Sequence, residues 1–128
     1  MMDENEIGRI VVDCAVKVHM RLGPGLLENV YETVLCYEIQ NRGLSIQRQV
    51  PVPITYDNIL FNNAFRADLI VDDKVILELK SVECITKVHK KQLLTYLRLS
   101  GRKVGYILNF GEVLMKDGIS RIINGKLE

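Results

Sequence analysis

Apolar residues recur at helical spacing through the first third of the chain and then switch to strand alternation. Ile7, Ile10, Val11, Cys14, Val18 and Leu22 predict an amphipathic helix over 4–21, and Gly23-Pro24-Gly25 stops it. A second helix is predicted from about Leu26 to Asn41, with Leu27, Val30, Tyr31, Val34, Leu35 and Ile39 as its apolar stripe and Arg42-Gly43 as its C-terminal cap. From Leu44 to Tyr56 the residues alternate (Ile46, Arg48, Val50, Val52, Ile54) and predict a strand. Pro51 and Pro53 each lack a backbone donor, which places that strand at an edge or at a bulge. Asp57-Asn58 turns the chain into a short strand at 59–61. Two further strands, 65–71 and 74–79, flank Asp72-Asp73 as a hairpin in mid-sheet. A third helix at 86–100 ends at Gly101, 103–110 is an apolar strand, and 113–123 is a short strand or helical turn. The order α-α-β-β-β-β-α-β predicts an α/β (α+β) class, a mixed sheet with helices packed on its faces.

Composition narrows this picture. The 128 residues, 48% hydrophobic, fit one domain over 1–128 with enough apolar mass for a core without cross-links. No apolar run approaches the ~20 residues of a membrane span. The opening Met1–Glu6 is acidic and polar, unlike a secretory signal, so a cytoplasmic location is expected. Cys14, Cys36 and Cys84 are odd in number and widely spaced, suggesting neither a zinc site nor a disulfide framework; Cys14 and Cys36 read as small buried hydrophobes. Net charge is only +1. Between Lys80 and Lys103, however, seven basic residues (Lys80, Lys87, Lys90, Lys91, Arg98, Arg102, Lys103) face one acid, Glu83. Such a stripe suits a phosphate backbone, although taken alone it is more often a solvated helix face.

The hairpin carries the unusual residues. Asp68 lies within Arg-Ala-Asp-Leu-Ile-Val, and Glu78 and Lys80 within Val-Ile-Leu-Glu-Leu-Lys. These are strands expected to be central, where charge is rare unless paired or bound to metal. Glu78 and Lys80 share a face, opposite Leu77 and Leu79. A two-residue loop would leave Asp68 and Glu78 on opposite sides. A three-residue loop (Asp72, Asp73, Lys74), or a bulge, sets them directly across from one another and sends Leu69, Val71, Val75, Leu77 and Leu79 to one apolar face. That second register is the expected one. Facing carboxylates repel, whereas a hard divalent cation uses them as ligands and Lys80 then steadies developing negative charge. The competing reading is an ion pair of Lys80 with Asp68 or Glu78.

On the third helix Gln92 and Tyr96 project from one stripe, one turn after His89. Gln can orient water or a carboxylate, Tyr can bond a phosphate oxygen or stack on a base, and His89 reads mainly as a surface or core residue. Glu28, in the first turn of the second helix, suits the helix dipole and is equally placed to be a third metal ligand or water-positioning group.

Gly25-Leu26-Leu27-Glu28-Asn29-Val30-Tyr31 resembles the motif that names the GxxExxY family. That family is placed in the PD-(D/E)XK nuclease superfamily, in the branch similar to phage lambda exonuclease and RecB-type nucleases. The Arg66-Ala67-Asp68, Glu78-Leu79-Lys80 and Gln92-Leu93-Leu94-Thr95-Tyr96 segments and the Asn109-Phe110 strand end extend the likeness over nearly the whole chain. The resemblance implies a restriction-endonuclease-like core and catalytic residues Glu28, Asp68, Glu78, Lys80, Gln92 and Tyr96. It further implies Mg²⁺ or Mn²⁺ on Asp68, Glu78 and the Leu79 carbonyl, with Glu28 as the added candidate, and Lys80 activating or orienting water. The four-cysteine iron–sulfur cluster of some RecB-like relatives has no counterpart.

The expected function is metal-dependent phosphodiester hydrolysis with little sequence specificity, DNA being the favoured partner, held by Lys87, Lys90, Lys91 and Arg98. Two alternatives stand beside it: a catalytically silent nucleic-acid-binding module, and an accessory protein that binds a protein partner through the apolar edge near Pro51–Ile54.

Overall fold

The computed structural model describes residues 2–126. Helix α1 spans Glu4–Leu22, where the Asp3 carboxylate accepts from the Glu6 N–H at 2.8 Å and caps the first turn. Helix α2 spans Glu28–Asn41. Strands β1 (Ile46–Tyr56), β2 (Ile59–Val71) and β3 (Val75–Lys80) follow, then α3 (Lys87–Ser100), β4 (Val104–Asn109), a 3₁₀ turn (Met115–Gly118) and β5 (Ile119–Ile123). The five strands lie in chain order β1-β2-β3-β4-β5. β3 and β4 are parallel, joined through α3, and the other pairs are antiparallel. A mixed sheet with helices on its faces, consistent with a restriction-endonuclease-like core, is therefore what forms.

The two faces are separate cores. On one, α1 and α2 bury Ile7, Val11, Val18, Tyr31, Leu35 and Ile39 against Leu69, Val71, Val75, Leu77, Leu79 and Leu108. On the other, α3 buries Leu93 and Leu97 against Val52, Ala67, Ile70, Ile76 and Ile107. All five residues expected on one apolar face of the hairpin lie in the first core. Burial on both faces explains why β3 and β4 read as nearly unbroken apolar runs. Among the described residues no helix is long and apolar enough to cross a membrane.

One detail differs from the pattern reading. The strands expected at 59–61 and 65–71 are one, because Asn62-Asn63 stays extended within β2, opposite the register shift at Pro53, rather than breaking the strand. The register shifts between Val52 and Ile54, at Pro53, and β1 is an edge strand, so the prolines meet both conditions they allowed. The 113–123 tail holds both a helical turn and a strand. Arg42 and Gly43 (φ 87°) end α2 as expected, and Cys14 and Cys36 are buried while Cys84 is exposed.

Close packing between α3 and the sheet depends on Gly105, where an added Cβ would sit 3.0 Å from the Leu93 side chain and 3.1 Å from the Ile76 carbonyl oxygen. Gly105→Ala should lower unfolding free energy by about 1–3 kcal/mol in urea titration; an unchanged midpoint would show that α3 is loosely docked.

Candidate active site

Between β2 and β3 the ladder runs only from Val71↔Val75 to Leu69↔Leu77. Its loop is Asp72, Asp73 and Lys74, the three-residue form, with Asp72 (φ 49°) and Asp73 (φ 57°) both left-handed and the Lys74 N–H donating to the Val71 carbonyl at 2.9 Å. The same register brings Asp68 to Glu78, and there side chains replace the ladder. The Asp68 N–H donates to Glu78 Oε2 at 2.9 Å, and the Leu79 N–H donates to Asp68 Oδ2 at 2.9 Å. Each carboxylate thus spends one oxygen on the opposite strand. No sealed polar side-chain atom lacks a partner among the described residues, so the second oxygens stay open to solvent. Leu79 directs its N–H toward β2, and its carbonyl projects to the same side.

A second distortion lies beside this fork. Arg48↔Leu69 and Val50↔Ala67 are paired, but Gln49, opposite Asp68, is left-handed (φ 50°). Across that position both strands change face. Val50 and Ala67 pack with α3, whereas Leu69 joins the α1/α2 core and Arg48 reaches α2. Buried Glu32 on α2 holds the change in place, accepting from Arg48 Nη2 at 2.9 Å, Arg48 Nε at 3.1 Å and Gln49 Nε2 at 2.6 Å. Glu32 was not singled out from the sequence; its only signal was a position on the same helix face as Glu28.

Electrostatics follow from burial. Glu78 is 8% exposed, and desolvation, then the Asp68 charge, push its carboxyl up to about 8. Desolvation also raises Asp68, opposed by the Leu79 N–H and reinforced by Glu32. Tyr96 is raised by desolvation and by the charges of Glu78 and Asp68, which places its hydroxyl near both; the Gln92 amide acts the other way. The Tyr96 ring stacks on Phe65 at 3.9 Å. Lys80 lowers both acids as a neighbouring cation, yet it forms no ion pair among the described residues, so the ion-pair reading fails.

Asp68, Glu78, the Leu79 backbone, Lys80, Gln92 and Tyr96 therefore come together. Glu28 does not complete a cage. It is exposed at the first residue of α2 and is the weakest of the charges acting on Asp68 and Glu78, and no group of three His, Cys, Asp or Glu side chains among the described residues is set to hold a metal. In the motif around it, Tyr31 is structural: its hydroxyl donates to the Gly23 carbonyl (2.6 Å), accepts from the Leu26 N–H (3.0 Å), and its ring stacks on Phe110 at 4.4 Å. His89 closes a capping box with Thr86 and takes no part in the site. Lys87, Lys90, Lys91 and Arg98 are exposed, but at 3.6 residues per turn they lie roughly 120–180° around α3 from the Gln92/Tyr96 stripe. The basic stripe thus lies on the solvent side of α3, away from the Gln92/Tyr96 face. Asn109, fully buried where β4 meets Lys80, accepts from the Val82 and Gly111 N–H groups at 3.0 and 3.1 Å and shapes the loop leading to α3.

The donor set suits a hard divalent cation. Two desolvated carboxylates with open oxygens and a nearby carbonyl offer what such an ion takes from a protein when water and phosphate fill the remaining positions. Without the ion the pair is costly. Between pH 4.5 and about 8 the folded chain keeps a Glu78 proton that the unfolded chain has lost, so metal-free stability should fall as pH rises across that window. Thermal melts in chelator should show that decline, and Glu78→Gln should flatten it. A melting temperature that rises with pH in the same range would contradict the assignment.

A sequence model described as the PD-(D/E)XK nuclease superfamily matches residues 5–122. No curated protein matches the chain at a significant level. The match covers both strands of the fork and α3, and it implies nuclease chemistry on nucleic acid with divalent metal ions. The chain belongs to the PD-(D/E)XK nuclease superfamily.

Proposed function

We propose that residues 1–128 form one nuclease domain that hydrolyses phosphodiester bonds of DNA with little sequence preference, using Asp68, Glu78, Lys80, Gln92 and Tyr96. The observation that carries this reading is the carboxylate pair at the β2/β3 fork, bonded to each other's strands and left with open oxygens beside Lys80, which forms no ion pair among the described residues. The Gly25–Tyr31 motif supports placement in the GxxExxY family and the lambda exonuclease/RecB-like branch.

Asp68, Glu78 and the Leu79 carbonyl would hold one or two Mg²⁺ or Mn²⁺ ions. A bound divalent ion supplies positive charge against the scissile phosphate and lowers the cost of deprotonating water for in-line attack. Lys80, on the Glu78 face, places an ammonium where the attacking oxygen or the phosphate gathers charge. Tyr96, held flat by Phe65, presents a hydroxyl to a phosphate oxygen, and Gln92 orients water beside it. Glu28 acts at longer range, through water at the cleft mouth. Lys87, Lys90, Lys91 and Arg98 raise the positive potential around the domain and draw in the backbone without touching the scissile group. The proposed location is the cytoplasm.

End-labelled single- and double-stranded DNA, incubated with Mg²⁺ or Mn²⁺, tests the reading. Cleavage is expected and should fall by about 10²–10³-fold in Lys80→Ala, with DNA affinity nearly unchanged. Binding without cleavage by the unaltered chain would instead make it a silent binding module.

A further inference from the structure

The β1–β2 hairpin extends beyond both cores as an arm. From Val50 to Ala64 its only charged residue is Asp57, at the tip. Residues 55–64 are all exposed. Its register pairs Ile54 with Phe61 and Tyr56 with Ile59. Alternation along each strand therefore gathers these four side chains on one face and turns Thr55 and Leu60 to the other. Tyr56 is 69% exposed, Ile59 56% and Phe61 47%.

We propose that this face is the dimer interface of the protein, covered by the same face of a second copy of this chain. Three properties select that occupant. The face carries no cation, so a nucleic-acid backbone or an anionic membrane gains nothing there. Depletion of charge with enrichment of aromatics is instead the composition of a protein interface core. The four side chains also form a checkerboard, with aromatics on one diagonal and isoleucines on the other. Under a twofold axis in the plane of the face, along or across the strands, every aromatic meets an isoleucine of the partner, as an isologous contact requires.

Area is consistent with this. The four side chains expose about 400 Å² per copy, taking ~150–250 Å² for a whole aromatic. A pair would bury about 800 Å² before the rim contributes, most of the roughly 1,000 Å² a specific interface must clear. The mode is face packing and not strand addition, because Pro51 and Pro53 remove donors from the outer edge of β1. Past the register shift the next pair along the hairpin is Val52 with Phe65, and Phe65 stacks on Tyr96, so each copy's site would border the interface.

Sedimentation velocity on the full-length chain over a wide concentration range tests this, with far-UV circular dichroism to confirm that each variant folds. The unaltered chain should dimerise, and Tyr56→Asp and Phe61→Asp should each weaken the dimer by about tenfold or more. Leu60→Asp, equally exposed but on the opposite face, should leave it intact. A monomer at every concentration, or a dimer indifferent to Tyr56→Asp and Phe61→Asp, would overturn the proposal. A monomer whose DNA binding falls in Phe61→Asp would assign the face to nucleic acid and overturn it as well.

Discussion

The β2/β3 ladder ends because two carboxylates take over its hydrogen bonds. Beyond Leu69↔Leu77 the next two donors, Asp68 N–H and Leu79 N–H, are satisfied by Glu78 and Asp68 side chains. A central sheet normally pairs its backbone groups with one another, since an unpaired one costs about as much as a lost hydrogen bond. Here the cost is avoided while two acids are brought together in a place that desolvates them. The rest of the site is arranged around that exchange. Glu32 pins Arg48 and Gln49 on one side, α3 supplies Tyr96 on the other, and Asn109 shapes the loop between β3 and α3.

Such a fork stores electrostatic energy in the free protein. Glu78 is driven toward its neutral form by burial and by Asp68, and Lys80, the cation that opposes this, closes no ion pair among the described residues. A group left in this state is functional more often than structural. In a PD-(D/E)XK chain it is where a divalent ion would relieve the repulsion, because it brings the positive charge the pair lacks.

Much of the architecture could be read from residue order. Alternation of Leu69, Val71, Val75, Leu77 and Leu79 fixed the hairpin register, because a one-residue slip would have turned all five toward the wrong face. What escaped had a shared cause: the features depend on long-range contacts that leave no local periodicity. Asn62-Asn63 stood between two expected strands but lies inside one, β2, and Glu32 looked like an ordinary helix acid until β1 delivered Arg48 and Gln49 to it. Charge density along α3 says nothing of which side of a helix faces the sheet. Leu93 and Leu97 set that rotation, and they turn Gln92 and Tyr96 toward the fork and the lysines away.

The claim on which the account depends is that Asp68 and Glu78 form one cation site. Anomalous scattering from crystals soaked in Mn²⁺ tests it most directly. The account predicts a peak within ligation distance of both carboxylates and the Leu79 carbonyl. A peak confined to other acids, or none at saturating Mn²⁺ with the fork intact, would contradict it.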